Sequence, residues 1–171
     1  LWYHVGQMQG DRIAFGKSHK YDSGVSPCIA LNNDNWCVEV HKSETKTGLW
    51  YHVGQVSPSG QTISWGSSHQ YDNGSDPQIA INNHGVVVEV HKSQGPDTLW
   101  YHVGVINPAQ KTISWGPSYQ YDKGVQPTIA ITDDGFVVEL HKSQTQGTLW
   151  RHVGIVDAAS KTITFSGSAQ F

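Results

Sequence analysis

The feature that most constrains the fold is self-similarity at a period of about 50 residues, because a chain of copied modules must fold as copies of one small unit. Leu49-Trp50-Tyr51-His52-Val53-Gly54 returns as Leu99 to Gly104, stands at the start as Leu1 to Gly6, and recurs as Leu149-Trp150-Arg151-His152-Val153-Gly154. Tyr21-Asp22, Tyr71-Asp72 and Tyr121-Asp122 keep step, each followed by x-Gly-x-x-Pro-x-Ile-Ala. About three-fifths of positions are identical between the second and third copies.

Each module reads as four short strands. In the last, Pro127 to Thr132 is an apolar strand, Asp133-Asp134-Gly135 a hairpin signal, and Phe136 to Lys142 the second strand. Ser143 to Thr148 is a polar loop, Leu149 to Ile155 a third strand, and Lys161 to Phe165 a fourth after the turn at Asp157 to Ser160. Trp, Tyr, Val, Ile and Thr suit strands, Gly, Pro, Asn and Asp suit turns, and no helix-period stripe is present. The expected fold is all-β: a β-propeller of four-stranded blades of about 50 residues, with a β-trefoil as the structural alternative. One repeat domain spans residues 1–171, divided into a partial blade 1–26 and blades 27–76, 77–126 and 127–171. Opening on a third-type strand, the chain is expected to hold about three and a half blades. Self-association or an N-terminal portion preceding Leu1 would complete the ring, since open strand edges are normally paired or covered.

Period two places Val88 and Val90 on one face of a strand and Glu89 and His91 on the other. Trp100 and His102 likewise share a face opposite Tyr101 and Val103. A carboxylate screened by neighbouring blades needs partners, so setting Glu89 opposite His102 would give every blade an internal carboxylate–imidazole hydrogen bond. Catalysis fits less well, because acid–base work requires unlike environments and Glu39, Glu89 and Glu139 sit in near-equivalent ones. Neither G-x-S-x-G nor H-E-x-x-H is present. His41, His91 and His141 lie a module apart, without clustered ligand spacing, so the expectation is no metal and no cofactor.

The formal charge of −3 gives no electrostatic reason to expect nucleic acid, and no apolar run is long enough to span a bilayer. Localisation is not written in the sequence, although secreted or extracellular use is compatible with it. Cys28 and Cys37 occur only in the first full module, on neighbouring strands, where a bridge and two free thiols are both open.

In a four-stranded meander, the connector between modules lies at the same end as the loop between the second and third strands. Those segments carry Ser68-x-x-Tyr71-Asp72-x-Gly74 and His91-Lys92-Ser93, which recur, whereas Ser57-Pro58-Ser59-Gly60 and Asn107-Pro108-Ala109-Gln110 at the opposite end differ. Aromatics beside Asp, Ser, Lys and amides suit carbohydrate: an apolar face for stacking and fixed donors and acceptors for hydroxyls. The candidate ligand-binding residues are Trp65, Tyr71, Asp72, His91, Lys92, Ser93, Trp100, Trp115, Tyr121, Asp122, His141, Lys142 and Ser143. Asp72 also suits closure of a turn onto its own backbone.

The layout PxIAIxxxGxVVEVHKSQxxxxLWYHVGxxxxxxxTISWGxSxQYDxG resembles the blade of bacterial and fungal propeller lectins, particularly the seven-bladed Photorhabdus-type lectins, across essentially the whole chain. That resemblance implies glycans as partners, held in pockets between blades once per repeat, with avidity from multivalency. The expected function is non-catalytic, multivalent carbohydrate binding. The alternative is a propeller that docks proteins or targets a larger toxin or hydrolase; near-identical modules favour a small repeated ligand over an asymmetric partner.

Overall fold

The computed structural model describes residues 1–171 and is all-β, with several small antiparallel sheets and no helix. A first portion holds the short strands β1 (Trp2–Tyr3), β2 (Gly6–Gln9), β3 (Arg12–Phe15) and β4 (His19–Lys20), paired β1 with β4 and β2 with β3. Three larger sheets follow. The first comprises β5 (Val25–Leu31), β6 (Trp36–Lys42), β7 (Gly48–Val56), β8 (Ile63–Trp65) and β9 (His69–Asn73). The second repeats it as β10 (Ser75–Ile81), β11 (Val86–Lys92), β12 (Thr98–Asn107), β13 (Thr112–Trp115) and β14 (Tyr119–Lys123). The third contains β15 (Val125–Ile131), β16 (Phe136–Lys142), β17 (Leu149–Asp157) and β18 (Thr162–Gln170).

The expected second strand, Phe136 to Lys142, is met residue for residue, while the fourth strand differs in kind. In the first two full sheets it breaks after Trp65 or Trp115, and its second piece continues in the same direction to pair with the first residues of the third strand. In the last sheet Phe165-Ser166 replaces Trp-Gly and β18 runs through with a register shift. Every strand pairs within its own repeat, and no sheet closes on itself. A trefoil would require strands of different repeats to share a barrel, so that alternative is not met.

Alternation along the strands sets the packing. Val38, Val40, Tyr51 and Val53 pack on Ile79, Ile81, Val87 and Ile113 of the next sheet; Val88, Val90, Tyr101 and Val103 pack in the same way on Ile129, Val137 and Ile163. Full burial of one such valine contributes about 1.5–3 kcal/mol, which makes these faces the main adhesive between repeats. Polar links repeat beside them. The Tyr51 hydroxyl accepts from the Ile113 amide (3.2 Å) and the Tyr101 hydroxyl from the Ile163 amide (3.1 Å). Asn32 Nδ2 donates to the Asn82 carbonyl and Asn82 Nδ2 to the Thr132 carbonyl, both at 3.3 Å. The first strands of the three sheets converge, and a cavity of about 310 Å³ there is lined by Ser26, Pro27, Asp76, Gln78, Gln126 and Pro127. Ser26, Asp76 and Gln126 all take a left-handed backbone (φ 53°, 54° and 56°), which marks the same bulge in each copy.

The first full sheet is also where both cysteines lie. Cys28 faces Val40 and Cys37 faces Leu31 across β5 and β6, so the thiols are offset along the hairpin and both are free. No helix is long and apolar enough to cross a membrane.

Candidate functional site

The strand period builds the site. Glu89, His91 and His102 share the face that looks back toward the preceding repeat, and Glu89 and His102 are Cα partners as the alternation predicts. Their hydrogen bonds take another route. His91 Nδ1–H donates to Glu89 Oε2 at 3.0 Å, two residues along the same strand, and the Tyr71 hydroxyl donates to Glu89 Oε1 at 2.8 Å. The buried carboxylate is thus satisfied on both oxygens, one through the preceding connector. Tyr121 and His141 hold Glu139 at the same distances of 2.8 and 3.0 Å.

His102 turns toward a different partner. Its Nδ1 lies 3.3 Å from the Gly116 carbonyl and its Nε2 lies 2.8 Å from Asp72 Oδ2. His91 Nε2 approaches the same oxygen at 3.6 Å, and Ser118 Oγ donates to it at 3.0 Å. Asp72 reaches this point because Gly74 lets the connector close on the sheet: a Cβ there would stand 2.5 Å from the Lys92 carbonyl and 2.8 Å from the His91 ring. Tyr-Asp-x-Gly is therefore one device, in which the glycine permits contact and the aspartate makes it. Asp72 Oδ1 accepts from the Asn73 amide at 2.7 Å, a bond to its own connector backbone as foreseen, while Oδ2 serves the imidazoles, a role the sequence reading did not assign.

The other repeats copy the arrangement. Asp22 Oδ2 is 2.7 Å from His52 and 3.8 Å from His41; Asp122 Oδ2 is 2.7 Å from His152 and 3.7 Å from His141. Aspartate, then histidine 19 residues on, then histidine 11 further, recurs three times at positions 22/41/52, 72/91/102 and 122/141/152. That constant interval was the signal available in the sequence. It was hidden because the histidines, compared with their own equivalents, lie a whole module apart.

Electrostatics follow the geometry. Burial disfavours ionised Asp72, but hydrogen bonds from His102 and the Asn73 amide, with the nearby imidazoles, outweigh it and bring its pKa down to about 2. Burial alone would lower the pKa of His91, and the Glu89 and Asp72 carboxylates reverse this and raise it. Burial and Glu89 push the Tyr71 phenol up, so its hydroxyl remains a donor.

Above the first and the last Asp–His clusters the sheet end opens. A cavity of about 360 Å³ is lined by Asp22, Ser23, His41, Ser43, Thr45, Lys46, Trp50 and Ser68. Its counterpart of about 240 Å³ is lined by Asp122, Lys123, His141, Ser143, Trp150 and Ser168. In both, a carboxylate, an imidazole and at least two serines stand beside one indole, and the lining belongs to one sheet and the connector entering it.

The candidate residues separate into groups. Asp72, His91, Ser93 and Trp100 occupy the middle-repeat positions equivalent to the cavity linings, and Asp122, His141 and Ser143 line one directly. Tyr71 and Tyr121 hold the glutamates. Lys92 pairs with Asp97 at 3.1 Å, and Lys142 is an exposed strand-end residue. Trp65 and Trp115 lie away from the cavities, stacked on Tyr21 and Tyr71 at 5.3 and 5.4 Å between centroids, with their buried Nε1 atoms unpartnered. The cavity indoles are instead Trp50 and Trp150, neither of them a candidate, with the candidate Trp100 at the equivalent position of the middle repeat. His52, His102 and His152 were missed as site residues. No protein-family model matches the chain, and no curated protein matches it.

Proposed function

We propose that the chain is an arc of a β-propeller and acts as a non-catalytic, multivalent carbohydrate-binding protein, with one site per repeat above the Asp–His cluster. The observation that carries this reading is recurrence: Asp22, His41, Ser43, Trp50 and Ser68 line one cavity, and Asp122, His141, Ser143, Trp150 and Ser168 line its equivalent. Each offers an indole for stacking a sugar face, serine hydroxyls, and a carboxylate to accept from sugar hydroxyls. Three like constellations argue against a single acid–base pair, which would need unlike surroundings. Polar, open cavities suit weak single-site affinity, and useful retention then comes from presenting several sites together.

The test is a glycan array probed with the whole chain, read beside tryptophan fluorescence during titration with the sugars that score. Binding that weakens at least tenfold in Trp50→Ala/Trp100→Ala/Trp150→Ala supports the reading. No array signal and no fluorescence change would overturn it.

A second reading, docking of a further protein surface, rests on a different observation. Val138, Leu140 and Val153 are 43%, 37% and 38% exposed, whereas their equivalents Val88, Val90 and Val103 are fully covered by the next sheet. A concentration-dependent mass in light scattering, abolished by Val138→Lys/Leu140→Lys, would favour it.

A further inference from the structure

The groups meeting at Asp72 pose a problem of lone pairs. His91 Nδ1 faces the Glu89 carboxylate and His102 Nδ1 faces the Gly116 carbonyl, and both partners are acceptors, so both rings carry a hydrogen on Nδ1. In neutral rings each Nε2 then presents a lone pair, yet both point at Asp72 Oδ2, at 2.8 and 3.6 Å. The Ser118 hydroxyl supplies one donor to that oxygen, but two imidazole lone pairs aimed at it still repel it unless something positive lies among them. An extra proton on each ring is one solution. A metal ion is the other.

We propose that the middle and last repeats each bind a divalent transition-metal ion of the zinc type through the aspartate Oδ2 and the two histidine Nε2 atoms, with the open coordination positions facing the sheet end. The three ligand atoms lie within 4.8 Å of one another in both the Asp72/His91/His102 and Asp122/His141/His152 clusters. Zinc bonds of about 2.0–2.2 Å to nitrogen and oxygen place tetrahedral ligands roughly 3.3 Å apart, between the 2.8 and 3.6 Å contacts around Asp72. Two imidazoles with one carboxylate suit this borderline-soft ion and leave room for water or a ligand oxygen.

The surroundings fit as closely as the ligands. Histidines that bind metals usually donate the other ring N–H to a carboxylate or a backbone carbonyl, which fixes the tautomer and aims Nε2. Glu89 does this for His91 and the Gly116 carbonyl for His102, and Glu89 is itself anchored by the Tyr71 hydroxyl. The Gly66 carbonyl serves His52 in the same way at 3.2 Å. In the last repeat Ser166 stands where glycine does elsewhere, and His152 Nδ1 is buried without a partner. The Asp122 cluster therefore lacks one orienting contact and is the weaker of the two. The proposal goes beyond glycan binding and does not depend on it, since the ion is held by protein groups alone.

The experiment uses the chelator-treated whole chain, titrated with ZnCl₂ in a calorimeter and with Co²⁺ by visible absorption, in the absence of sugar. The expected result is two ions per chain, one at Asp72 and one at Asp122, with the four-coordinate Co²⁺ spectrum and a rise in melting temperature on Zn²⁺ addition. Asp72→Asn and, separately, His102→Gln each remove one equivalent, with folding checked by circular dichroism and the Asp122 site as the internal control. Glu89→Gln retains the stoichiometry and weakens that site by about 10–100-fold. Absence of Zn²⁺ binding, or uptake that is unchanged in both Asp72→Asn and His102→Gln, would overturn the proposal and assign the clusters to ion pairs completed by protons. Neither outcome bears on the glycan array, so failure of one reading is separable from failure of the other.

Discussion

The middle and last repeats carry nearly the same motif in different settings. Val88, Val90 and Val103 are completely buried, while Val138, Leu140 and Val153 at the same positions are substantially exposed. Leu99 is fully covered and Leu149 is 48% exposed. What separates them is the neighbour: Leu99 lies under the next connector, where its Cδ1 would stand 3.1 Å from a Cβ at Gly124, and no segment of the chain covers Leu149 in that way. In a stacked array most of a repeat's stability comes from the interface with the next one. Identical letters therefore contribute unequal energies.

The most direct way to break this comparison is to truncate the same leucine twice. Leu99→Ala removes fully buried methyl groups and is expected to cost about 2–5 kcal/mol. Leu149→Ala is expected to cost under about 1 kcal/mol, because half of its surface is already in water. Urea unfolding followed by tryptophan fluorescence measures both, and equal losses would mean that the exposed face is covered in solution.

A smaller effect separates the polar networks. Glu89→Gln replaces a carboxylate that accepts from Tyr71 and His91 with an amide that must point its NH₂ at one of those donors, at an expected cost of about 1–3 kcal/mol. Tyr71→Phe, which removes one donor only, is expected to cost less. If Glu89→Gln unfolded at the wild-type denaturant concentration, the network would have no structural role, and any loss of ligand affinity would then make Glu89 a binding residue.

Acid titration of the metal-free protein sharpens the picture at Asp72. Its pKa is lowered from 3.8 to about 2, so its contribution is present above pH 3.8 and is lost as pH falls from there toward 2. The shift is 3.8 − 2, and at 1.36 kcal/mol per unit it corresponds to about 2 kcal/mol or less, since the side chain is about a quarter exposed. His91 acts in the opposite direction: its pKa is raised above 6.5, so its contribution is complete below pH 6.5 and fades as pH rises through the folded-state value. These two groups together favour the window between about pH 3.8 and 6.5. Melting temperature across pH 2–8 checks this, and Asp72→Asn is expected to flatten the acid limb.

Period two and the module length made much of this fold legible: strand β16 and the faces of Glu89 and His91 follow from them, and the Glu89–His102 pairing is the register that the sequence left as a condition. Partner choice was harder to read. Cross-strand neighbours attract attention first, yet Glu89 bonds along its own strand to His91 and across a connector to Tyr71, which the close approach at Gly74 brings onto the sheet. Asp72 comes 30 residues before His102 and meets it only after the connector folds back over the sheet. The aromatic roles were hidden for a related reason. Trp65 and Trp100 are both strand tryptophans, but Trp65 turns toward Tyr21 between repeats while Trp100 stands at the sheet end, where its indole donates to Thr98 Oγ1 at 3.0 Å.

The smallest expected effect tests whether the first full repeat differs from its copies in substance. Cys37 is buried, and burial is the main cause that pushes its thiol up to about 12, so it is protonated and poorly nucleophilic at neutral pH. Its equivalents are Val87 and Val137, both fully buried apolar positions, which makes Cys37 a small hydrophobe in a valine's place. Cys37→Val is accordingly expected to change stability by less than about 1.5 kcal/mol. The half-buried Cys28 also has its thiol raised, by burial first, so both cysteines are expected to react slowly with a disulfide reagent in the native protein and rapidly in guanidinium. Prompt native labelling of Cys37, or a large loss in Cys37→Val, would show that β6 is packed differently from β11 and β16 and that the first repeat is not a true copy.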